Sequence, residues 1–324
     1  MKNFHRLSGL LVTSALALLC LSAGAQSFPA KPIRLIVPTS AGNPVDVLAR
    51  VVATRMSADF GQPVVVENRV GAGGIVAAAE VARQPADGYT LFMVYMGMTL
   101  TQTIFKQPSF DLKRDFSPVG QTLFSYNVLV TNPNFPAKSV KELEAQLRAR
   151  PGQINFASGG IGSPAQMAGE LLKQQTNTQA THVPYLAFPQ AIGDLLGGQV
   201  QFMFAGTGPV VGHIQSGRLK ALAVTGPHRV QALKDVPTMA EAGYPDFMIR
   251  DWQGIVVKAG TPRDIIDRLN VAVRKALASE ELKTVYATLG AEPFPGSPEE
   301  FASLIASDMT KMGRIAQTAN VRAD

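Results

Sequence analysis

The sequence predicts an α/β protein of two domains preceded by a removable leader. Strand-like runs of Val, Ile, Leu and Phe alternate with helical segments along the chain, which indicates an α/β fold with parallel strands. The first 25 of the 324 residues read as a leader, so 324 − 25 = 299 residues remain. That is more than one hydrophobic core usually organises, and two domains are therefore expected.

The leader has the three parts of a secretory signal peptide. Lys2 and Arg6 supply positive charge, residues 10–21 are mostly apolar, and Ala23-Gly24-Ala25 matches the small-residue cleavage pattern. We expect cleavage after Ala25 and a periplasmic location.

The cysteine content limits the chemistry of the mature chain. The single cysteine, Cys20, lies in the leader and follows Leu19, whereas a lipoprotein signal needs a small residue there. We expect no disulfide, no thiol chemistry and no lipid anchor after cleavage.

The charge and hydropathy patterns exclude two further classes. Without Lys2 and Arg6, 28 basic residues face 24 acidic ones, a formal charge of +4. No basic cluster alternates with aromatic residues, so nucleic acid is not an expected partner. No later run reaches the roughly 18 apolar residues of a membrane-spanning helix.

The predicted elements form two series. In the first, the strand IRLIV precedes the helix PVDVLARVVATRMSADF, which Gly61 ends, and the strand PVVVEN precedes the turn and helix GAGGIVAAAEVARQ and the strand YTLFMVY. The second contains the predicted strands SYNVLVTN, INFAS, THVPY, VQFMF, LKALAVTG and WQGIVVKAG and the helices VKELEAQLRAR, SPAQMAGELLKQQT, PQAIGDLLGG and TPRDIIDRLNVAVRKALAS. The last helix should begin at Ser297 as N-cap, with Pro298 at N1 and Glu300 at N3.

The turns between strands and helices are the candidate binding elements. Asn43 is a suitable N-cap, Pro44 suits N1, and Asp46 at N3 is expected to accept from the Asn43 amide. The small residues before Asn43 leave backbone N–H groups uncovered at a helix N-terminus, which is a general anion site. The segment ASGGIGSPAQM repeats this design, with Ser163 as N-cap, and NRVGAGGIVAAA is a third such junction. In open α/β sheets these turns meet where ligands bind.

Each turn also has a purely structural interpretation as a tight connection before a helix. GAGGIV does not complete a dinucleotide loop, because Val76 stands at the last glycine position. His182, His213 and His228 have no partner at metal-ligand spacing, so no metal and no cofactor are expected. His182 fits a hydrogen-bonded core or rim position better than a ligand role.

Long stretches carry a resemblance to one family. They include FPAKPIRLIVP, AGNPVDVLAR, GQPVVVENRVGAGGIVAAAEVARQPADGYTL, PGQINFASGGIGSPAQMAGELLKQQT, HVPYLAFPQAIGDLLGGQVQFMF, GRLKALAVTGPHR and DVPTMAEAGYPDF, in fixed order. Nearly end to end, the mature chain resembles the Bug-type periplasmic solute receptors of tripartite tricarboxylate transporters. The resemblance implies a receptor rather than an enzyme, with a small carboxylate ligand, transporter membrane subunits as partners and a monomeric state.

The resemblance also implies a type II periplasmic-binding fold, with two α/β lobes and a ligand cleft between them. Residues 26–125 and 251–324 would form the first lobe and residues 126–250 the second. The ligand would be held mainly by backbone amides and hydroxyls. The site positions that carry over are Thr39, Ser40, Ala41, Gly42, Asn43, Gly74, Tyr95, Met96 and Gly97 in the first lobe and Ser158, Gly159, Gly162, Ser163, Pro184, Tyr185, Phe188 and Ala205 in the second.

Several positions depart from the family pattern. Asn43 replaces a usual glycine, and it either narrows the approach of a carboxylate or adds a contact of its own. Leu186, Ala187 and Phe188 replace a Lys-Gly pair with apolar bulk, and Ala205 replaces a frequent aspartate, which argues against an α-amino acid ligand.

Tyr95, Met96 and Met98 stand where small, serine-rich loops are usual. At the rim of the cleft they would favour an aromatic or otherwise hydrophobic mono- or dicarboxylate. Alternatively, the two methionines belong to the core.

Two other functions remain open on the sequence. The same fold could serve as an orphan receptor that presents its ligand to a sensor. An exported serine hydrolase using Ser158 or Ser163 is a remote alternative, because the chain has no G-x-S-x-G elbow and shows no recognisable base.

Overall fold

The computed structural model describes residues 28–106, 108–185 and 188–323. The expected signal peptide and its cleavage site lie outside the described residues, as do Leu186 and Ala187.

The described residues form one curved, mixed sheet of ten strands. The strands are β1 (Ile33–Val37), β2 (Val64–Asn68), β3 (Thr90–Tyr95), β4 (Phe116–Thr131), β5 (Asn155–Ser158), β6 (Thr181–Pro184), β7 (Phe202–Gly206), β8 (Lys220–Val224), β9 (Arg250–Lys258) and β10 (Ala291–Pro293). The order is β2-β1-β3-β9-β4-β7-β5-β6, and β8 and β10 also pair with β4.

Helices cover the sheet and connect its strands. They are α1 (Pro44–Phe60), α2 (Ile75–Ala82), α3 (Thr101–Ile104), α4 (Val140–Ala149), α5 (Pro164–Thr176), α6 (Phe188–Leu196), α7 (Thr207–Gln215), α8 (Arg263–Leu277), α9 (Glu280–Leu289) and α10 (Pro298–Thr318). Short 3-10 turns span Ala72–Gly74, Met96–Leu100 and Gln231–Leu233. No helix among the described residues is both long and apolar enough to cross a membrane.

The predicted helix ends are confirmed where the sequence contains capping residues. Gly61 ends α1 in the left-handed conformation with φ of 64°. Ser297 caps α10, and its hydroxyl and the Glu300 side chain form a reciprocal capping box. Local hydrogen bonding therefore determines where these helices begin and end.

β4 joins two halves of the sheet. Residues from Phe116 to Tyr126 pair with β9, and residues from Asn127 onward pair with β7 and β8. We call the half with β1, β2, β3, β9 and β10 the first lobe, and the half with β5, β6, β7 and β8 the second lobe.

The strands are parallel only in part, which corrects the sequence-based expectation. β1 pairs in parallel with β2 and β3, and β5 pairs in parallel with β6 and β7. The pairs that involve β4 and the β3–β9 pair are antiparallel. The sequence pattern of a buried strand does not reveal the direction of its partner.

Each lobe has an apolar core on its sheet. Leu48 of α1, Leu269 of α8 and Tyr286 of α9 pack on one face of the first lobe. Ile192 of α6 and Val210 of α7 pack on the second. A further core runs through both lobes and includes Phe156 and Trp252, which is the single tryptophan of the chain. The candidate binding turns are thus attached to elements that are buried in these cores.

The sequence analysis missed α7 and α9, and these helices contact each other across the lobes. A Cβ added to Gly208 at the start of α7 would lie 2.2 Å from the carbonyl oxygen of Thr288 in α9. The glycine allows the two backbones to approach this closely.

Candidate functional site

The turn after β1 is held from within by the first residues of α1. The Asn43 amide donates to the carbonyl of Ser40 at 3.2 Å, and Gly42 between them has φ of 81°, as in a type II turn. Asn43 Oδ1 accepts from the Val45 amide at 3.0 Å, so its side chain caps the helix. Asp46 accepts from the Gly42 amide at 2.9 Å, which corrects the expected contact with the Asn43 amide.

Asp46 is anchored in turn by its neighbours. Asn68 at the end of β2 donates to Asp46 Oδ1 at 2.8 Å, and Arg50 donates to Asp46 Oδ2 at 3.0 Å. Burial acts to raise the pKa of Asp46, but these hydrogen bonds and that of Gly42 outweigh it and hold the pKa below its ordinary value. The carboxylate is committed to the turn, so it stabilises the turn rather than binding a ligand.

The turn after β5 has the same hydrogen-bond pattern in the second lobe. The Ser163 amide donates to the Gly160 carbonyl at 3.2 Å, and Gly162 has φ of 77°. Ser163 caps α5, and Gln166 at N3 accepts from the Gly162 amide at 2.7 Å. We call residues 40–43 and residues 160–163 the paired turns.

The hydrogen bonds within each turn determine which backbone amides are left to bind a ligand. The amides of Gly42, Asn43, Gly162 and Ser163 donate within the protein. In the described part of the chain, the amides of Ser40, Ala41 and Ile161 have no acceptor, and all three residues are exposed. Ala41 and Ile161 occupy the same position in the two turns, so their amides are the matching groups that could bind an anion at the helix N-termini. The Gly42 and Gly162 amides, which were expected to contact ligand, instead support the turns.

His182 completes the support of the second turn. Its Nε2 lies 2.6 Å from Ser158 Oγ and its Nδ1 lies 3.2 Å from Gln166 Nε2. No base for Ser158 was evident from the sequence, whereas the structure places His182 beside it. The two hydrogen bonds of His182 agree with the hydrogen-bonded position expected for it.

The hydrogen-bond directions argue against activation of Ser158. Because Gln166 Oε1 accepts from Gly162, Nε2 of the same amide must donate to His182 Nδ1. Burial, with a smaller effect of Lys173, lowers the pKa of His182 to about 4, so the ring is neutral at pH 7 and carries its proton on Nε2. Nε2 therefore donates to Ser158, which can donate to the Gly160 carbonyl at 3.1 Å. A histidine in this tautomer cannot remove the Ser158 proton.

The other turns of the first lobe converge on this region. A Cβ added to Gly74 would lie 3.0 Å from the Met98 methyl and 3.4 Å from Pro38 Cβ. A Cβ added to Gly97 would lie 3.3 Å from the Gly162 carbonyl oxygen. The turns that follow β1 and β3, the glycine turn before α2 and the second-lobe turn are therefore brought together through these contacts.

Two expected rim residues and one expected ligand contact are buried. Met96 and Met98 are 0% and 1% exposed, and Ala205, which was expected to contact the ligand, is 0% exposed. The two methionines therefore belong to the core and not to the rim of the cleft. The 3-10 turn from Met96 to Leu100 packs its side chains against apolar residues of both lobes. Support for a hydrophobic cleft is reduced accordingly.

Tyr95 and Phe188 keep partly exposed positions. The Tyr95 hydroxyl donates to the Gly73 carbonyl at 3.1 Å, and burial together with the nearby Asp251 charge raises the pKa of Tyr95 to about 12. The Phe188 ring lies 3.7 Å from a Cβ added to Gly159. An aromatic side chain is thus available on each side of the turns.

The remaining second-lobe positions lie beside the same turn. Pro184 is exposed and aligned with Ser158 in the β5–β6 register. Tyr185 is buried, its amide donates to the Ser158 carbonyl at 3.0 Å, and its hydroxyl donates to Asp194 at 2.7 Å. Its polar atoms therefore act within the second lobe.

Sequence reasoning missed the polar residues that follow the lobe crossing. Asp251 and Gln253 belong to no motif, and the repeated N3 position was the only signal for Gln166. Within the described residues, no group of three or more His, Cys, Asp and Glu could hold a metal ion.

Comparisons with known proteins agree on one family. Residues 48–321 match the model of the tripartite tricarboxylate transporter family receptor. Protein BugT of Bordetella pertussis is 36% identical over 300 residues, which are 92% of each chain. The structure of Rpa4515 of R. palustris with adipate is 31% identical, with a TM-score of 0.79, and covers 91% of this chain and 99% of that one. The structure of MatC of Rhodopseudomonas palustris with bound malate is 30% identical, with a TM-score of 0.76 and coverages of 89% and 99%.

Proposed function

Because the chain belongs to the tripartite tricarboxylate transporter receptor family, we propose that it binds a small carboxylate between its lobes and delivers it to transporter membrane subunits. Its fold is the two-lobed α/β fold of periplasmic binding proteins, as expected from the resemblance. The periplasm, reached after cleavage at Ala25, is the proposed location. Residues 26–125 with 251–324 and residues 126–250 are the proposed lobes.

The observation that carries the proposal is the pair of matching turns. Each turn lies at the N-terminus of a helix, each has a left-handed glycine, and each leaves the amide of its second residue, Ala41 or Ile161, without an acceptor among the described residues. Backbone amides at a helix N-terminus stabilise a carboxylate without a lysine or arginine. Ligand contacts from both lobes would favour the closed arrangement over the open one.

The body of the ligand would contact Tyr95 and Phe188. Planar apolar groups pack well against aromatic side chains, so an aromatic or hydrophobic mono- or dicarboxylate remains the proposed class. Solved relatives with adipate and malate show that carboxylates of different shapes bind to proteins of this family.

A thermal-shift screen of the mature chain tests the proposal. The panel contains succinate, malate, citrate, adipate, glutamate, benzoate, nicotinate and terephthalate. Ligand at about 100 times its Kd should add roughly 2.7 kcal/mol, on the order of 5 °C for a chain of this size. A shift with aromatic acids supports the full proposal. A shift with citrate or succinate alone supports the carboxylate receptor and contradicts the apolar class.

Delivery needs a separate experiment, because the same binding protein could serve a sensor. Crosslinking of the ligand-loaded protein in spheroplasts, followed by identification of the captured membrane protein, distinguishes the two. Capture of a sensor kinase rather than a transporter subunit would contradict the delivery proposal.

A further inference from the structure

Three buried polar atoms near the lobe crossing have no hydrogen-bond partner among the described residues. They are Oδ1 of Asp251, Oε1 of Gln253 and Nδ2 of Asn127. Gln253 and Asn127 are 4% and 7% exposed. Leaving a buried polar atom unpaired destabilises the folded state, so native proteins rarely contain several of them together.

The strand register places two of these atoms at the end of the first-lobe sheet. Along β9, Ile255 and Val257 face the core under α1 and α8, and side-chain alternation places Gln253 and Asp251 on that same face. Gln253 is the Cα partner of Tyr95, the last residue of β3. Asp251 lies two residues farther, beyond the last β3–β9 pair, and is paired only with Ser125 of β4.

Contacts of Tyr95 connect these atoms with the binding turns. Tyr95 and Asp251 are diagonal neighbours across the strands, roughly 7–8 Å apart at the backbone. Tyr95 donates to Gly73, and its ring lies beside Gly97, whose backbone adjoins the Gly162 carbonyl. Asp251 and Gln253 thus lie at the side of the region where the turns of the two lobes meet.

The chemistry of the unpaired atoms selects their ligand. Two of the three are acceptors, one on a carboxylate and one on a side-chain amide, so the missing partner is a donor. Burial raises the pKa of Asp251 to about 7, because removal from water disfavours the ionised form, although the hydrogen bond from the Trp252 backbone amide opposes the shift. Tyr95, the titratable neighbour on β3, is neutral in this range.

We propose that Asp251 and Gln253 form a second subsite, which binds an ammonium or hydroxyl group of the ligand whose carboxylate is held by the paired turns. The inference rests on the proposed function and narrows its ligand class to carboxylates that carry a donor. It also changes the interpretation of Ala205. Ala205 in β7 stands where the family pattern places a carboxylate, but Asp251 supplies one from β9.

The test compares carboxylates that differ only in the donor. One series is succinate, malate and aspartate, and the other is benzoate, 4-hydroxybenzoate and 4-(aminomethyl)benzoate. Calorimetry at pH 7.5 gives Kd for each, and the fluorescence of Trp252, next to Asp251, provides an independent signal. A donor-bearing member should bind at least about 10-fold tighter than its parent, equivalent to about 1.4 kcal/mol.

Variants then identify the residue responsible. Asp251→Ala should reduce the affinity ratio between the donor-bearing carboxylate and its parent to below about threefold. Gln253→Leu should reduce this ratio in part. Asp251→Asn keeps a hydrogen-bond acceptor but removes the negative charge. If the subsite binds an ammonium group, this variant should lose the preference for the donor-bearing ligand. If the subsite binds a hydroxyl group, the variant should keep it. Asp87→Asn, at an exposed ion pair with Lys31, is the control and should not change the preference.

Each outcome has a definite meaning. If the wild-type protein binds succinate and benzoate as tightly as every donor-bearing analogue, the subsite is wrong and the carboxylate receptor stands. A donor preference that survives Asp251→Ala also contradicts the subsite. If neither these six carboxylates nor any acid of the thermal-shift panel binds to folded protein, the proposed function fails, and the subsite fails with it.

Discussion

The backbone of Gly97, in the 3-10 turn that follows β3, lies against the carbonyl of Gly162 in the second-lobe turn. A Cβ on Gly97 would be 3.3 Å from that oxygen and 2.8 Å from Cε2 of the Tyr95 ring. The two lobes therefore meet through main-chain atoms at the candidate site, where an added methyl group would force a neighbouring atom to shift.

Gly97→Ala should weaken ligand binding by about 10-fold, because the added methyl group must displace Tyr95 or hold the lobes apart. Calorimetry with the tightest-binding carboxylate of the panel measures the change. The control is Gly193→Ala in α6, where the added Cβ has no atom within 4 Å. Equal affinity of both variants and the wild type would contradict an approach of the lobes at Gly97.

Gly208→Ala should lower Tm by several degrees, because its Cβ would lie 2.2 Å from the Thr288 carbonyl oxygen and force α7 away from α9. Overpacking of this kind costs about 1–3 kcal/mol. Gly212→Ala provides a control on the same helix, since its Cβ meets no atom within 4 Å and alanine favours helix formation. Calorimetric melting curves compare the two. If the Gly208→Ala and Gly212→Ala proteins have equal Tm, the close α7–α9 contact does not contribute to stability, which contradicts the prediction.

Asp251 should make the ligand-free protein less stable as pH rises from about 4 to 7. Its pKa is 3.8 without burial and about 7 in the folded protein, so the folded state retains its proton where the unfolded state has lost it. This stabilisation is complete below pH 4 and is lost as pH passes 7. Asp251→Asn has no such titration, so its Tm relative to wild type should be higher at pH 8 than at pH 5. A pH-independent Tm difference would contradict a raised pKa.

Gln166→Glu should raise the pKa of His182. In the wild type, the Gln166 amide donates to Nδ1 and burial holds the pKa near 4. A carboxylate at the same place would accept from a protonated Nδ1 and favour the imidazolium. NMR titration of the His182 ring measures the pKa, with Gln166→Met as the neutral comparison. An unchanged pKa in Gln166→Glu would contradict the contact between residue 166 and Nδ1 of His182.

The sequence predicted the parts of this fold that depend on local hydrogen bonding. Ser297 with Glu300, Gly61 and the Asn43–Pro44 pair each placed a helix end correctly, because caps act within a few residues. Helices α7 and α9 were missed. In α7, TGPVVGHIQ contains two glycines and a proline, and tertiary packing against Thr288 outweighs that weak propensity.

The candidate site was predictable only as far as its turns. The recurrence of Asn43-Pro44 and Ser163-Pro164 after strands indicated two matching junctions. Which amides remain free could not be inferred, because it depends on Asp46 and Gln166 reaching back four residues. Asp251 could not be identified from the sequence. It comes near Tyr95 only because β9 pairs with β3 so that Gln253 lies opposite Tyr95, and these two strands are far apart in the chain.

Proline substitution in the paired turns tests whether the amides of Ala41 and Ile161 bind the carboxylate. Ala41 and Ile161 precede the left-handed glycine of each turn, a position that proline accepts, so Ala41→Pro and Ile161→Pro remove an amide donor without changing the turn. Ala41→Gly and Ile161→Ala retain the amides as controls.

Hydrogen bonds to a charged group contribute about 1.5–3 kcal/mol. Calorimetry with the tightest-binding carboxylate should therefore show each proline variant binding about 10- to 100-fold more weakly, with the controls within about threefold of wild type. If both proline variants bind like wild type while one Lys→Ala or Arg→Ala change abolishes binding, a side-chain cation holds the ligand and the account is wrong.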